Sequence, residues 1–345
     1  MQRQKLEIEV LSGLGNAAEG HTDGSETPNF LIHKVPVTKK KFAFRLATHR
    51  AIVKQLKKSR YDFVLIPIEK KNSLLIATLM LMRIIRRFNL ISYNHLVMRS
   101  KGGKTTSIDR WFAKFCFRRF DRVIFYTEGS RDEAVDQGLM RAERAYFANN
   151  TLDTNAIWNG YSFEIAKQQP RRLLFIGRLV GKKKLEILFD YLAALQKNIP
   201  DIELHVIGDG PARQTVEQHA SNPSVTWHGA IHDEPSIRAI MRTCHLVFVP
   251  GHTGLSIVHA FCYGKPFVTL GTKIISQPPE IEYLRHGQNG VVLSGNKDAD
   301  VQQLTDILSN AVRYEAMCNS AYETAQDLRI ENWSSQFETA LTSEA

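Results

Sequence analysis

RLLFIGRLVGKKKLEILFDYLAALQKNIPDIELHVIG, residues Arg172–Gly208, decides the fold. Arg172–Gly177 is a short apolar run ending in glycine, as a buried strand would be. Leu185, Leu188, Phe189, Leu192 and Leu195 recur at helical spacing through Leu185–Asn198, and Pro200 closes that helix. Glu203–Gly208 reads as the next strand. The same unit repeats downstream. Helices are expected at Ala212–Ala220, Ile237–Arg242 and Leu255–Tyr263, and strands at Val225–Gly229, Leu246–Pro250, Pro266–Leu270 and Gly290–Leu293. Alternating strands and helices with short loops predict an α/β, doubly wound parallel sheet. Asp300–Leu341 reads as further helices carrying Leu304, Leu308, Val312, Trp333 and Phe337.

The first half repeats the plan less regularly. Strands are expected at Glu7–Leu11, Phe30–Val37, Phe63–Ile68, Leu90–Asn94 and Val123–Thr127. Helices are expected at Phe44–Lys57, Ser73–Phe88, Ile108–Phe120 and Arg131–Gln137. Ile157–Pro170 is polar and aperiodic, and reads as the connection between halves. At 345 residues the chain has room for two domains. Leu74–Met82 is the longest mostly apolar run, far short of a bilayer span. Ser73–Met82 reads more readily as a buried helix than as an interfacial one. MQRQKLEIEV contains no apolar signal core. Cys116, Cys244, Cys262 and Cys318 are too scattered for a disulfide framework or a zinc knuckle, so a reduced, cytoplasmic setting is the default.

The net charge of +10 is lopsided. Residues 1–165 hold 28 Lys and Arg against 16 Asp and Glu, which exceeds the whole basic excess of the chain. Such a half suits an anionic surface: membrane lipid, a phosphorylated acceptor or nucleic acid. A merely solvated basic face is the plainer alternative. For nucleic acid, no helix-turn-helix, zinc or aromatic RNA-binding signature accompanies the charge.

Chemistry concentrates in the second half. Arg178 follows the Arg172–Gly177 strand, and Lys182-Lys183-Lys184 follows shortly after. A guanidinium fork and an ammonium at a strand's carboxyl end suit a diphosphate. Gly208-Asp209-Gly210-Pro211 allows a tight turn or a close ligand approach. VPGHTGLSIVHA, residues 249–260, is a strand end, a Gly/Thr loop and a helix start, where free amides can hold phosphate. Each has a bland reading as well: a basic surface turn, a plain strand-to-helix turn, or a packed His259. Glu280, in Gln277-Pro278-Pro279-Glu280, reads equally as a helix N-terminal charge.

In order and spacing these features, with Asp121-Arg122-Val123-Ile124…Thr127 and Asn149-Asn150-Thr151-Leu152-Asp153, resemble the family 4 glycosyltransferases of the GT-B fold. The resemblance runs from about Asp121 to Trp333. It implies two Rossmann-like domains facing across a cleft: an acceptor-side domain at 1–165, short of its first strand–helix unit, and a nucleotide-sugar domain at 166–324. The terminal helix at about 325–345 would pack back on the first. It implies that Arg178 and Lys183 bind the donor diphosphate and stabilise the departing nucleotide, beside Gly177 and Gly210. Thr253, Gly254 and Leu255 would hold the distal phosphate, His259 would contact the ribose, and Glu280 would complete the donor site. His95, at a strand end in Tyr93-Asn94-His95, matches the acceptor-side histidine.

The family's pair of glutamates separated by seven residues is missing: Gly251 and His259 stand in those places. Gly13-Leu14-Gly15 after a strand invites a dinucleotide reading, but Asn16–Pro28 lacks the helical pattern that motif needs. The implied activity is retaining transfer from a nucleotide sugar to a saccharide or polyprenyl-diphosphate-linked acceptor in surface polysaccharide synthesis. No metal or other cofactor is expected, since Arg178 and Lys183 supply the positive charge. The basic half, with Arg83, Arg86, Arg87, Lys101, Lys104, Arg118 and Arg119, would face the inner leaflet of a membrane. The alternative is a relative that binds nucleotide sugar, or a partner, without turnover.

Overall fold

The computed structural model describes residues 7–13, 31–35, 41–96, 106–167, 171–271 and 276–343. These divide between two compact units, Met1–Ser92 and Tyr93–Ala345. Leu14, Gly15, Asn16–Pro28, Lys101 and Lys104 lie outside the described residues.

In the first unit, β1 (Glu9–Gly13) pairs in parallel with β2 (Leu31–Val35). Helix α1 (Lys41–Lys58) follows, then β3 (Phe63–Leu65), α2 (Ser73–Arg86) and β4 (Asn89–Asn94), whose last residues enter the second unit. β3 and β4 are parallel, with Phe63 opposite Asn89 and Leu65 opposite Ile91. A hydrogen bond between His49 and Thr78 (2.9 Å) ties α1 to α2.

α2 departs from the expectation of a buried helix. Only Ile76 and Leu79 are buried, while Leu74, Leu81, Ile84 and Ile85 stand in solvent. An apolar sequence marks a helix that can be buried on every side; what packs against each side decides which faces are.

The second unit continues with α3 (Ser107–Phe117), β5 (Arg122–Phe125), α4 (Glu128–Asp136), β6 (Ala145–Phe147) and α5 (Thr154–Trp158). A reciprocal capping box between Thr106 and Asp109 starts α3, and the Thr127 hydroxyl caps α4. β6 and α5 have no counterpart in the sequence reading; at three and five residues they are too short for a periodic signal. Nor is the polar connecting stretch loose. Trp158 Nε1 donates to the Cys262 carbonyl (2.8 Å), and the Tyr161 hydroxyl to that of Tyr263 (3.2 Å).

The larger sheet contains β7 (Arg172–Ile176), β8 (Glu203–Ile207), β9 (Val225–Trp227), β10 (Leu246–Phe248), β11 (Phe267–Leu270) and β12 (Gly290–Leu293). All six are parallel, in the order β12-β11-β10-β7-β8-β9. Between them run α6 (Leu185–Leu195), α7 (Arg213–Glu217), α8 (Glu234–Thr243) and α9 (Ser256–Cys262). α10 (Lys297–Ser309), α11 (Ala311–Asp327) and α12 (Ile330–Thr342) close the chain. Leu173, Phe175, Val206, Val247, Phe248 and Phe267 are fully sequestered in one core, as continuous apolar strands covered on both faces must be.

α12 lies against β5 and β6. Ala340 is buried with Ile124 and Ala148, flanked by Tyr93, Trp333 and Phe337. The buried Arg122 guanidinium donates to the Ala340 carbonyl (2.6 Å), and Trp333 Nε1 to the Tyr93 hydroxyl (3.1 Å).

Candidate active site

The strand order reverses direction between β7 and β10, so the crevice of this sheet opens at their carboxyl ends. The loop after β7 carries Gly177–Lys184, and the loop after β10 carries Val249–Leu255. These are the two stretches singled out by chemistry, brought side by side by topology alone.

The two loops interlock. Gly251 N donates to the Lys183 carbonyl and His252 N to that of Lys182, both at 3.0 Å. Gly251 has no room for a side chain, since a Cβ there would lie 2.1 Å from the Lys182 carbonyl oxygen. The missing first glutamate is therefore part of how the loops fit, and not a simple truncation. Gly210 plays the same part on the other side of the crevice: at φ +154° its Cβ would lie 2.4 Å from the Leu179 carbonyl oxygen.

Lys183 ends a single helical turn, Gly181–Lys183, and is 7% exposed. Its Nζ donates to the Thr253 carbonyl (2.8 Å). Burial, reinforced by the neighbouring Lys182 charge and opposed by that of Glu280, lowers its pKa to about 8. Arg178, by contrast, is exposed, and no hydrogen bond or ion pair engages its guanidinium among the described residues.

Thr253 is fully buried, and its Oγ1 has no partner. Its amide is already taken by Gln277 Oε1 (3.1 Å). Gln277 Nε2 reaches the Gly251 carbonyl (3.1 Å), Thr269 Oγ1 (2.9 Å) and the Leu270 carbonyl (3.0 Å), pinning the loop to β11. Of the three amides expected to face phosphate, Thr253 is thus internally satisfied. Those of Gly254 and Leu255, at the start of α9, donate no hydrogen bond among the described residues.

Pro279–Tyr283 forms a single helical turn with two carboxylates on it. Glu280 is 3% exposed; Oε1 accepts from Asn150 Nδ2, and Oε2 is buried with no partner. Glu282 accepts from the Thr127 hydroxyl (2.9 Å) and the Gly129 amide (3.1 Å) at the N-terminus of α4. Burial raises its pKa, although these donors pull the other way. The Tyr283 hydroxyl donates to the carbonyls of Tyr126 and Asn150, both at 3.2 Å. His95 is exposed at the end of β4, its ring centred 4.1 Å from that of Tyr126.

His259 is bonded to a neighbouring helix. Its Nε2 lies 2.9 Å from Glu234 Oε1 on α8, an oxygen that also accepts from the Tyr263 hydroxyl. Burial would push the Glu234 pKa up, but the bonds and charges of His259, Tyr263 and Arg238 outweigh it and lower it.

Lys183, Thr253 and Glu280 therefore converge, while Arg178 lies exposed in the loop after β7 and His95 lies beside Tyr126. The sequence reading overlooked Gln277, Glu282 and Glu234 as working residues. Glu234 follows the Asp233 cap of its helix, a position where an acidic residue is unremarkable. Among the described residues no group of His, Cys, Asp and Glu is arranged to hold a metal ion.

The profile of the family described as "Glycosyl transferases group 1" matches residues 170–310, the stretch that builds this crevice. Over 121 residues, 33% of this chain and 31% of the relative, the sequence is 27% identical to alpha-D-kanosaminyltransferase of Streptomyces kanamyceticus. It is 24% identical over 154 residues to a GDP-mannose-dependent alpha-(1-6)-phosphatidylinositol dimannoside mannosyltransferase of Mycobacterium tuberculosis, covering 43% of this chain and 39% of that one. The chain thus spans between about a third and a half of the length of the curated relatives it matches. Among solved structures it resembles Anabaena Alr3699/HepE in complex with UDP, with a TM-score of 0.67 at 18% identity, covering 91% of this chain and 87% of that one. A glycosyltransferase from Rickettsia africae matches with a TM-score of 0.65 at 12% identity, over 92% of this chain and 86% of the other. The fold of this chain is GT-B.

Proposed function

We propose that this protein transfers a glycosyl group from a nucleoside-diphosphate sugar to a saccharide acceptor, with retention at the anomeric carbon. The observation that carries the proposal is the junction of Lys183 with the Thr253 carbonyl at the β7/β10 switch point. It holds a buried cation beside the unpaired amides of Gly254 and Leu255. Negative charge grows on the leaving diphosphate as the glycosidic bond breaks, and a fixed cation in a dry site stabilises it with little reorganisation. Arg178 would close on the same diphosphate from the loop after β7. Glu280 Oε2 and Thr253 Oγ1, buried and without partners, are the groups with bonds left to offer donor hydroxyls. His95 would stand on the acceptor side.

The dimannoside relative acts on a phosphatidylinositol-linked saccharide, as its name states. With the basic first half, this supports a lipid-linked acceptor and work at the cytoplasmic face of a membrane, in surface polysaccharide synthesis. The test is release of nucleoside diphosphate from a panel of UDP-, GDP- and TDP-sugars, with and without polyprenyl-diphosphate saccharides. Turnover that falls more than tenfold in Arg178→Ala and in Lys183→Ala supports the reading; wild-type rates in either overturn the leaving-group role.

A second reading is favoured by Gly251 and by the bonding of His259 to Glu234, which leave both family glutamate positions without a carboxylate facing donor. It makes the protein a nucleotide-sugar binder without turnover. Saturable donor binding with no product from any acceptor in the panel would select it.

A further inference from the structure

Helix α2 presents an apolar face to solvent on the opposite side from its buried Ile76 and Leu79. Leu74 is 65% exposed, Leu81 69%, Ile84 74% and Ile85 83%. At 3.6 residues per turn, Leu74, Leu81 and Ile85 fall within about 40° of one another, and Ile84 borders them. This is one stripe of large aliphatic side chains, and it buries nothing in the described structure.

Cations predominate around the stripe, although Glu69 pairs with Lys71 (2.6 Å) just ahead of its first turn. Residues 70–87 contain Lys70, Lys71, Arg83, Arg86 and Arg87 and no acidic residue. Arg86 Nη2 donates to the Lys57 carbonyl, which brings the basic last turn of α1, with Lys57 and Lys58, to the basic last turn of α2. A cationic cluster therefore borders the end of the stripe where Ile84 and Ile85 are most exposed. With 14 residues the helix is about 21 Å long, too short to cross a hydrocarbon core of about 30 Å. Among the described residues no helix is long and apolar enough to span a membrane.

We propose that α2 docks this protein in the plane of an anionic lipid bilayer, with Leu74, Leu81, Ile84 and Ile85 entering the headgroup–acyl boundary and the α1–α2 cluster meeting lipid phosphate. An aliphatic face bordered by cations is the combination that lies in such an interface. A second copy of the chain fits the face less well, because the same basic half, with 28 Lys and Arg against 16 Asp and Glu, would meet itself. The inference extends the lipid-acceptor reading by naming the surface. Its test needs neither donor nor acceptor, so the two can fail separately.

The experiment is co-sedimentation of the full chain with vesicles of 30% phosphatidylglycerol in phosphatidylcholine, against pure phosphatidylcholine. Wild type is expected to partition at least tenfold more strongly onto the anionic vesicles. Leu81→Ser/Ile85→Ser should lower that partition at least tenfold with an unchanged thermal melt, since both side chains already face water. Arg83→Gln/Arg87→Gln should weaken it and flatten its salt dependence. The proposal is overturned if wild type stays in the supernatant, or if the aliphatic double variant binds as well as wild type. Dissociation of a dimer by that variant, seen by light scattering, would assign the face to a second copy instead. Exposed Trp111 and Ile108 with Arg110 and Lys114 on α3 form the competing surface, so loss of binding in Trp111→Ala but not in the α2 variants also overturns it.

Discussion

Raising the pH from 7 to 9 should weaken nucleoside-diphosphate binding through Lys183 alone. With its pKa lowered to about 8, the ammonium form falls from about 90% at pH 7 to about half at pH 8 and about 10% at pH 9. If the diphosphate binds only the charged form, the dissociation constant rises about twofold at pH 8 and about tenfold at pH 9, which is about 1.4 kcal/mol. Bound anion pulls the proton back on, so calorimetry of UDP or GDP binding at pH 8.5, in buffers of different ionisation enthalpy, should register uptake of most of one proton. Stability of the unliganded protein runs the other way. Between pH 8 and about 10.5 the unfolded chain holds the proton that folded Lys183 has lost, so stability from this group rises with pH across that window. Lys183→Met should bind weakly at every pH with no slope. A flat affinity from pH 7 to 9 in wild type, or a slope that survives in Lys183→Met, would refute the reasoning.

Glu282→Ala should cost about 1–3 kcal/mol in urea unfolding, because it strips partners from Thr127 and Gly129 at the α4 N-terminus. Gly251→Glu, which restores the family residue, should lower both stability and donor affinity, since the Cβ meets the Lys182 carbonyl; a gain in turnover would contradict the interlocked loops. Glu234→Gln should raise the donor KM at least as much as His259→Ala if the pair acts together at the ribose, and equal donor constants in all three proteins would exclude it. Ending the chain after Arg329 removes α12 and uncovers Ile124, Ala148 and Arg122, so the melting temperature should fall by several degrees; an unchanged melt would show that this packing contributes little.

Much of the larger sheet was legible because its strands are buried on both faces and end in glycine or proline. Gly290–Leu293 emerges with the predicted bounds, and Arg172–Gly177, Glu203–Gly208 and Pro266–Leu270 within a residue or two. The position of the crevice was legible too, since β–α loop order carries it. The partners of those loops were not. Gln277 works on Gly251, 26 residues away, and Glu282 on Thr127, 155 residues away. Such contacts depend on packing between elements, which no local pattern encodes. His259 shows the same limit: its place in the first turn of α9 was foreseeable, but the carboxylate that claims its ring comes from α8. The outer face of α2 misled for a related reason, because hydrophobicity reports what a helix could bury and not what is there to bury it.

The Val249–Leu255 loop is bonded to Lys182 and Lys183 on one flank and to Gln277 on the other before any ligand arrives. A loop already frozen surrenders little conformational entropy when it closes on an anion, so more of the contact energy survives as affinity. Calorimetry of diphosphate binding should therefore show a small ordering penalty, with whatever penalty remains arising from exposed, unanchored Arg178. A mutation that loosens Gln277 would move that penalty into the loop, weakening the site without touching a group that meets the ligand.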